Sequence, residues 1–158
     1  MAALGLIACR DRSQHREPTE RGDGQPGRGQ RMLAEAKACA DSDPPPLDHC
    51  TAACDLHHSN SCARAGDATG DRAAAQALYR RACDGGSGLG CAAAGLDVEA
   101  RFYLRVHCEQ KHAPSCAALA RLFQEGRGGA ADPGAAATFR RQACLLGERA
   151  ACAEDPSR

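Results

Sequence analysis

Eleven cysteines stand among 158 residues. Cysteine offers three kinds of chemistry, namely disulfides, metal ligation and thiol exchange, and spacing decides between them. Four pairs share one gap of seven residues: Cys54/Cys62, Cys83/Cys91, Cys108/Cys116 and Cys144/Cys152. Structural zinc favours roughly two to four residues between ligands, so the repeating gap does not suit it. Only Cys50, Cys54 and His57 or His58 come near ligand spacing. Solvated turn histidines account for those residues better, and no metal is expected. No Cys-x-x-Cys occurs, which removes the motif for thioredoxin-type exchange and for c-type haem attachment. Gly126 to Gly129 is glycine-rich but lacks the Lys-Ser/Thr of a phosphate loop. No cofactor is expected.

The gap of seven has a geometric consequence. On one continuous helix, residues eight positions apart lie about 12 Å apart along the axis, whereas a disulfide needs Cα atoms within roughly 7 Å. If these pairs bond, the chain must reverse between them. Asp84-Gly85-Gly86-Ser87-Gly88 is suited to do so, because glycine takes the left-handed conformation that ends a helix. The first cysteine then lies in the last turn of a helix A and the second in the first turn of a helix B, with the bond stapling the hairpin at its tight end.

Bulk composition points the same way. Net charge is zero and pI near 7, so no basic field favours nucleic acid or an anionic membrane. Aromatics make up 3% and tryptophan is absent, which leaves alanine and glycine to build a thin core. For so lean a core, burial roughly cancels chain entropy of about 1.5 kcal/mol per ordered residue. Cysteine at this density implies an oxidising compartment.

Residues 1–9 are small and apolar and end in Leu6-Ile7-Ala8-Cys9. That tetrapeptide resembles the bacterial lipobox, whose cysteine is lipidated, although no basic residue precedes it as a signal peptide requires. Residues 10–31 alternate Arg, Glu, Asp, Gln and Gly, and are expected to be a disordered polar linker spanning roughly 25 Å on average. Residues 32–155 form one domain, and no stretch of the chain approaches the ~20 apolar residues of a membrane helix.

Within that domain the sequence repeats. Tyr79-Arg80-Arg81-Ala82-Cys83 matches Phe139-Arg140-Arg141-Gln142-Ala143-Cys144 in placing an aromatic and an arginine pair before the cysteine. Small residues follow the second cysteine, as in Cys91-Ala92-Ala93-Ala94 and Cys116-Ala117-Ala118. The unit resembles a Sel1-like repeat of the cysteine-rich bacterial type, related in architecture to tetratricopeptide repeats. Cys108 to Cys144 carries the match best, with helix B over Ser115 to Gln124, the connector Glu125-Gly126-Arg127-Gly128-Gly129, and Asp132-Pro133 opening the next helix A. Its period of 36 is the family's usual length. Cys54 to Cys83 spans only 29 and Cys83 to Cys108 only 25, with residues expected to be missing from the B-to-A connection.

The resemblance implies an all-α fold, a short α-solenoid of disulfide-stapled hairpins. Solenoids need atypical end units, so Cys39 and Cys50, which flank Pro44-Pro45-Pro46, are assigned as a cap staple, and Cys9 is left over for lipidation. Tyr79, Phe102, Tyr103, Phe123 and Phe139 are expected in the core. The resemblance also implies a protein- or peptide-binding module of the bacterial envelope or secreted space, a monomer whose curved surface comes mainly from its A helices. Some members of the family are described as weak β-lactamases or penicillin binders. The serine enzymes of that kind need Ser-x-x-Lys, which is absent here, and His57-His58 alone cannot supply the histidine cluster of the zinc enzymes. A related eukaryotic group, assembly factors of the mitochondrial intermembrane space, pairs cysteines similarly; the lipobox argues against it.

Overall fold

A computed structural model describes residues 26–153; residues 1–25, with Cys9, and 154–158 lie outside it. Among the described residues the secondary structure is entirely helical: α1 (Arg28–Ala40), α2 (Leu47–Asp55), α3 (Ser59–Ala68), α4 (Arg72–Asp84), α5 (Gly88–Ala94), α6 (Asp97–Glu109), α7 (Ala113–Glu125), α8 (Pro133–Leu145) and α9 (Arg149–Ala153). Each helix packs on the next, giving a short α-solenoid of disulfide-stapled hairpins.

One turn design recurs four times. Three residues join helix A to helix B at 56–58, 85–87, 110–112 and 146–148. The middle one is always left-handed: His57 (φ 73°), Gly86 (85°), Lys111 (68°) and Gly147 (98°). The next N–H then reaches five residues back into helix A, from His58 to the Ala53 carbonyl (3.0 Å), Ser87 to Ala82 (2.9 Å), His112 to His107 (3.1 Å) and Glu148 to Ala143 (3.0 Å). These are Schellman closures, which satisfy the orphaned carbonyls of a helix end. Glycine fills the left-handed position in only two of the four turns. A side chain there costs about 1–2 kcal/mol, so at His57 and Lys111 the backbone closure and the staple enforce the geometry.

Helix starts follow capping chemistry. Asp71 accepts from the Ala73 and Ala74 N–H groups (2.7 and 3.0 Å), which holds its carboxyl below the usual range, Ala74 being the larger cause. Asp132 accepts from Ala135 (2.9 Å), and Pro133 stands at the first helical position, where its missing N–H costs nothing. At the other end of the domain α1 begins at Arg28, four residues inside the segment read as polar linker. Gly27 N–H donates to Gln30 Oε1 (3.1 Å) and Arg31 N–H to the Gly27 carbonyl (3.0 Å), so local bonds start the helix before any apolar residue appears.

The unequal periods also find their cause. The A helices α4, α6 and α8 each have 13 residues. The B helices α3, α5 and α7 have 10, 7 and 13, and their links to the next A helix (69–71, 95–96 and 126–132) shorten in step. The missing residues come from helix B as well as from the connection, where the sequence reading placed them all.

Alanine and cystine make most of the core. Leu104 and Leu119 are the largest fully buried side chains and sit with Leu122, Phe123 and the Cys83–Cys91 staple in one cluster. Of the aromatics expected inside, Phe123 is buried and stacks on Phe139 at 5.5 Å between centroids, while Tyr79, Tyr103 and Phe139 are half-buried. Phe102 is 64% exposed, a correction. It lies one position ahead of Tyr103 on α6, and that register turns it away from the neighbouring hairpins.

Candidate binding groove

The staples set the register of everything else. They join Cys39–Cys50, Cys54–Cys62, Cys83–Cys91, Cys108–Cys116 and Cys144–Cys152, with Cα atoms 4.4–4.8 Å apart. Each links the penultimate residue of one helix to the fourth of the next. Cys39–Cys50 keeps this register across a six-residue link (41–46) that includes the three prolines. Helix α2 therefore carries two staples one turn apart, at Cys50 and Cys54, and belongs to two hairpins at once. Bonds of this kind persist in oxidising compartments. No described helix is long and apolar enough to cross a membrane.

Polar side chains lock one hairpin to the previous one at the same points. Two residues before the stapled cysteine, Arg81 Nη2 donates to the Cys54 carbonyl (2.9 Å) while Nη1 pairs with Asp55 (2.8 Å). Gln142 Nε2, two residues before Cys144, donates to the Cys108 carbonyl (3.4 Å). The equivalent on α6 is Val106, which has nothing to donate. Arg64 on α3 does the corresponding work toward the cap, bonding the Cys39 and Ser42 carbonyls (3.0 and 2.8 Å).

Two histidine–serine pairs look at first like nucleophile and base. His58 Nδ1 and Ser61 Oγ share a hydrogen bond of 2.8 Å, as do His112 Nδ1 and Ser115 Oγ. That distance suits an activated serine, but Ser61 and Ser115 are buried at 2% and 1% exposure, although Ser61, His58 and His112 border a groove along the B helices. Both pairs occupy the cap and third position of a B helix. Ser87, capping α5, serves the same place from the other side by accepting from Gly90 N–H (3.2 Å). Partial desolvation, then the charge of His107, lowers the His112 pKa. Each pair ties the residue before a B helix to that helix's third residue, side chain to side chain.

Nor do the residues weighed as metal ligands converge. Cys50 and Cys54 have their sulfurs in separate disulfides, His57 sits at the left-handed turn position, and His58 is engaged by Ser61. No group of three or more candidate ligands is found among the described residues.

What the surface does offer is a groove along the B helices. One section, of about 370 Å³, is lined by Ala36 and Ala40 of α1, Ala63, Arg64 and Asp67 of α3, Tyr79 of α4, Leu89 and Ala93 of α5, and Pro114 of α7. A second, of about 240 Å³, continues from the shared Leu89 and Pro114 past Ala117, Ala120 and Arg121 to Arg140, Glu148 and Ala150. The sequence reading placed the binding surface on the A helices. The hollow runs along the alanine-rich B helices, with Tyr79 of α4 and Arg140 of α8 contributing to its walls.

Tyr79 forms part of its wall. A Cβ at Gly66 would strike the Tyr79 ring at 2.5 Å, so only glycine lets the ring lie against α3. From there its hydroxyl donates to Asp67 Oδ1 (2.9 Å). Burial first and Asp67 second push the phenol up to about 12, so it stays a neutral donor at any physiological pH. Charges stand at the rim over an apolar floor, an arrangement that presents backbone-sized space with a few polar anchors.

Residues the sequence did not single out hold the long α7–α8 connector. Arg101 donates to the Arg127, Leu122 and Ala130 carbonyls (2.6, 3.1 and 3.0 Å), with its guanidinium 4.3 Å from the Phe123 ring centroid. Arg127 in turn pairs with both oxygens of Asp97 (2.7 and 3.1 Å). The only local hint was an arginine inside a glycine-rich connector.

A scan against protein-family models finds no match, and no curated protein matches the chain.

Proposed function

We propose that this chain is a peptide- or protein-binding module of the Sel1-like, tetratricopeptide-related type, working in the secreted or periplasmic space of a bacterium and anchored there by lipid on Cys9. The observation that carries the binding reading is the alanine-floored groove running across α3, α5 and α7 toward α9. Solenoids use such continuous hollows to hold extended segments. Its walls are preset by five staples, so little ordering entropy is lost on binding. The family reading rests on the repeated stapled register, and the anchor on Leu6-Ile7-Ala8-Cys9.

Peptides selected from a display library against the oxidised protein test the binding reading. Leu89→Glu, at the junction of the two groove sections, should abolish binding of the selected peptides, whereas Phe102→Ser on the exposed side of α6 should leave it intact. Peptides that bind the Leu89→Glu protein as tightly as the wild type would sink the groove as the site. Metabolic labelling with a radioactive fatty acid, lost in Cys9→Ala, tests the anchor separately.

A further inference from the structure

The five staples are not equally protected. Cys39, Cys50, Cys54, Cys91, Cys108 and Cys116 are fully buried, and Cys62 and Cys83 reach only 2% and 5% exposure. Cys144 and Cys152 alone are both half-buried. Their bond closes the C-terminal hairpin, whose second arm, α9, is described over Arg149–Ala153 and packs chiefly on α8. Local opening is easiest where few contacts hold a segment. Yet α9 covers something. Its Ala151 is 4% exposed and lies in one cluster with Ala143 and the Cys108–Cys116 staple.

We propose that Cys144–Cys152 is the exchange point of this disulfide ladder, and that α9 is the cover whose release makes Cys108–Cys116 the second bond to open. The reactant is a dithiol reductant. One of its thiolates attacks one sulfur of the Cys144–Cys152 bond, and the other sulfur leaves as a thiolate that takes a proton from solvent. The reductant's second thiol then attacks the mixed disulfide, frees the remaining protein thiol, and closes the reductant's own disulfide. Two electrons and two protons pass to the protein, and the reductant is oxidised. Access and not strain sets the order, because thiol exchange requires a line of approach to sulfur. Release of α9 also removes Ala150 and Ala151 from one end of the groove, so the redox state of this bond sets the groove's length. The order of opening holds whatever the groove binds.

The test uses the oxidised full chain treated with limiting dithiothreitol, quenched at intervals with an alkylating agent and mapped by peptide mass spectrometry. Cys144 and Cys152 should be labelled first, by about tenfold or more over any other pair, as local opening replaces global unfolding as the gate; Cys108 and Cys116 should follow. Another pair labelled first, or all five lost together, overturns the proposal. In a Cys144→Ser, Cys152→Ser protein the Cys108–Cys116 bond should be reduced about tenfold faster than in the wild type, while Cys39–Cys50 at the far end keeps its rate. An unchanged Cys108–Cys116 rate removes α9 as its cover.

Discussion

Hairpins α4–α5 and α6–α7 share a 13-residue first helix, a three-residue turn and a staple in the same register, yet they are held by different means. Helix α7 has 13 residues and buries Leu119, Leu122 and Phe123. Helix α5 has seven and buries only Gly88, Gly90 and Cys91. A Cβ at Gly88 would come within 2.7 Å of the Leu104 backbone nitrogen, and one at Gly90 would collide with the Ala82 methyl, so α5 lies against its neighbours almost backbone to backbone. Where α7 is fixed by side-chain burial, α5 is fixed by its disulfide and by close approach. With the staple common to both, close approach at Gly88 and Gly90 stands in for roughly two turns of apolar helix, which is how the repeat tolerates its shortened units.

The largest effect should come from removing every staple. In the entropic account each short loop contributes about 2–3 kcal/mol, and five together approach the ~5–15 kcal/mol that holds a whole domain. Full reduction should collapse the far-UV circular dichroism helix signal at 25 °C; a helical spectrum that survives means side-chain burial alone carries the fold. Next in size is Leu119→Ala, expected to cost about 3–4 kcal/mol as a fully buried leucine whose neighbours relax only partly. Chemical denaturation gives that value, and a loss under about 1 kcal/mol would place α7 in the same class as α5.

Breaking the middle staple with Cys83→Ser, Cys91→Ser should cost about 2.5 kcal/mol from loop closure, and more in practice, because the hairpins on both sides then lose an interface. The matched Cys144→Ser, Cys152→Ser change disturbs one neighbour and should cost less. Thermal unfolding of the two proteins decides it, and equal losses would mean that the units are not coupled. Gly88→Ala should cost about 1–3 kcal/mol by overpacking against α6, with a measured gain in stability arguing that α5 has room to move.

The smallest effect lies in the cap. His49 Nδ1 meets Glu35 Oε2 at 2.6 Å between α1 and α2, and that hydrogen bond, then the charge of Asp48, raises the imidazole pKa above 6.5. A raised folded-state value means the contribution is complete below 6.5 and is lost as pH climbs through the folded pKa. Melting temperature should therefore fall on going from acidic to alkaline pH across that window, by a small amount for so exposed a pair, and His49→Gln should flatten the dependence. A wild-type and variant that track each other across the window would show that the pair contributes nothing.

The sequence determined the staples' spacing, the need to reverse the chain inside each gap, and hence the hairpins, because a disulfide's reach and a helix's rise are local quantities that a gap of seven cannot satisfy otherwise. It also gave Asp71, Asp132 and Pro133 their roles at helix starts, since capping depends only on near neighbours. What only the tertiary structure decided was where those hairpins face. The groove ran along the B helices because of how the hairpins stack, which no local signal records. Phe102 turned outward, although it adjoins Tyr103, because burial depends on what packs against a register position. His57 and Lys111 took left-handed turns without glycine because closure from both sides outweighed local preference. Arg101 and Arg127 found partners some 20–30 residues away, and Cys144–Cys152 stayed half-buried while the other staples were covered by neighbouring helices. Spacing is written along the chain, whereas burial is a property of neighbours the chain acquires only on folding.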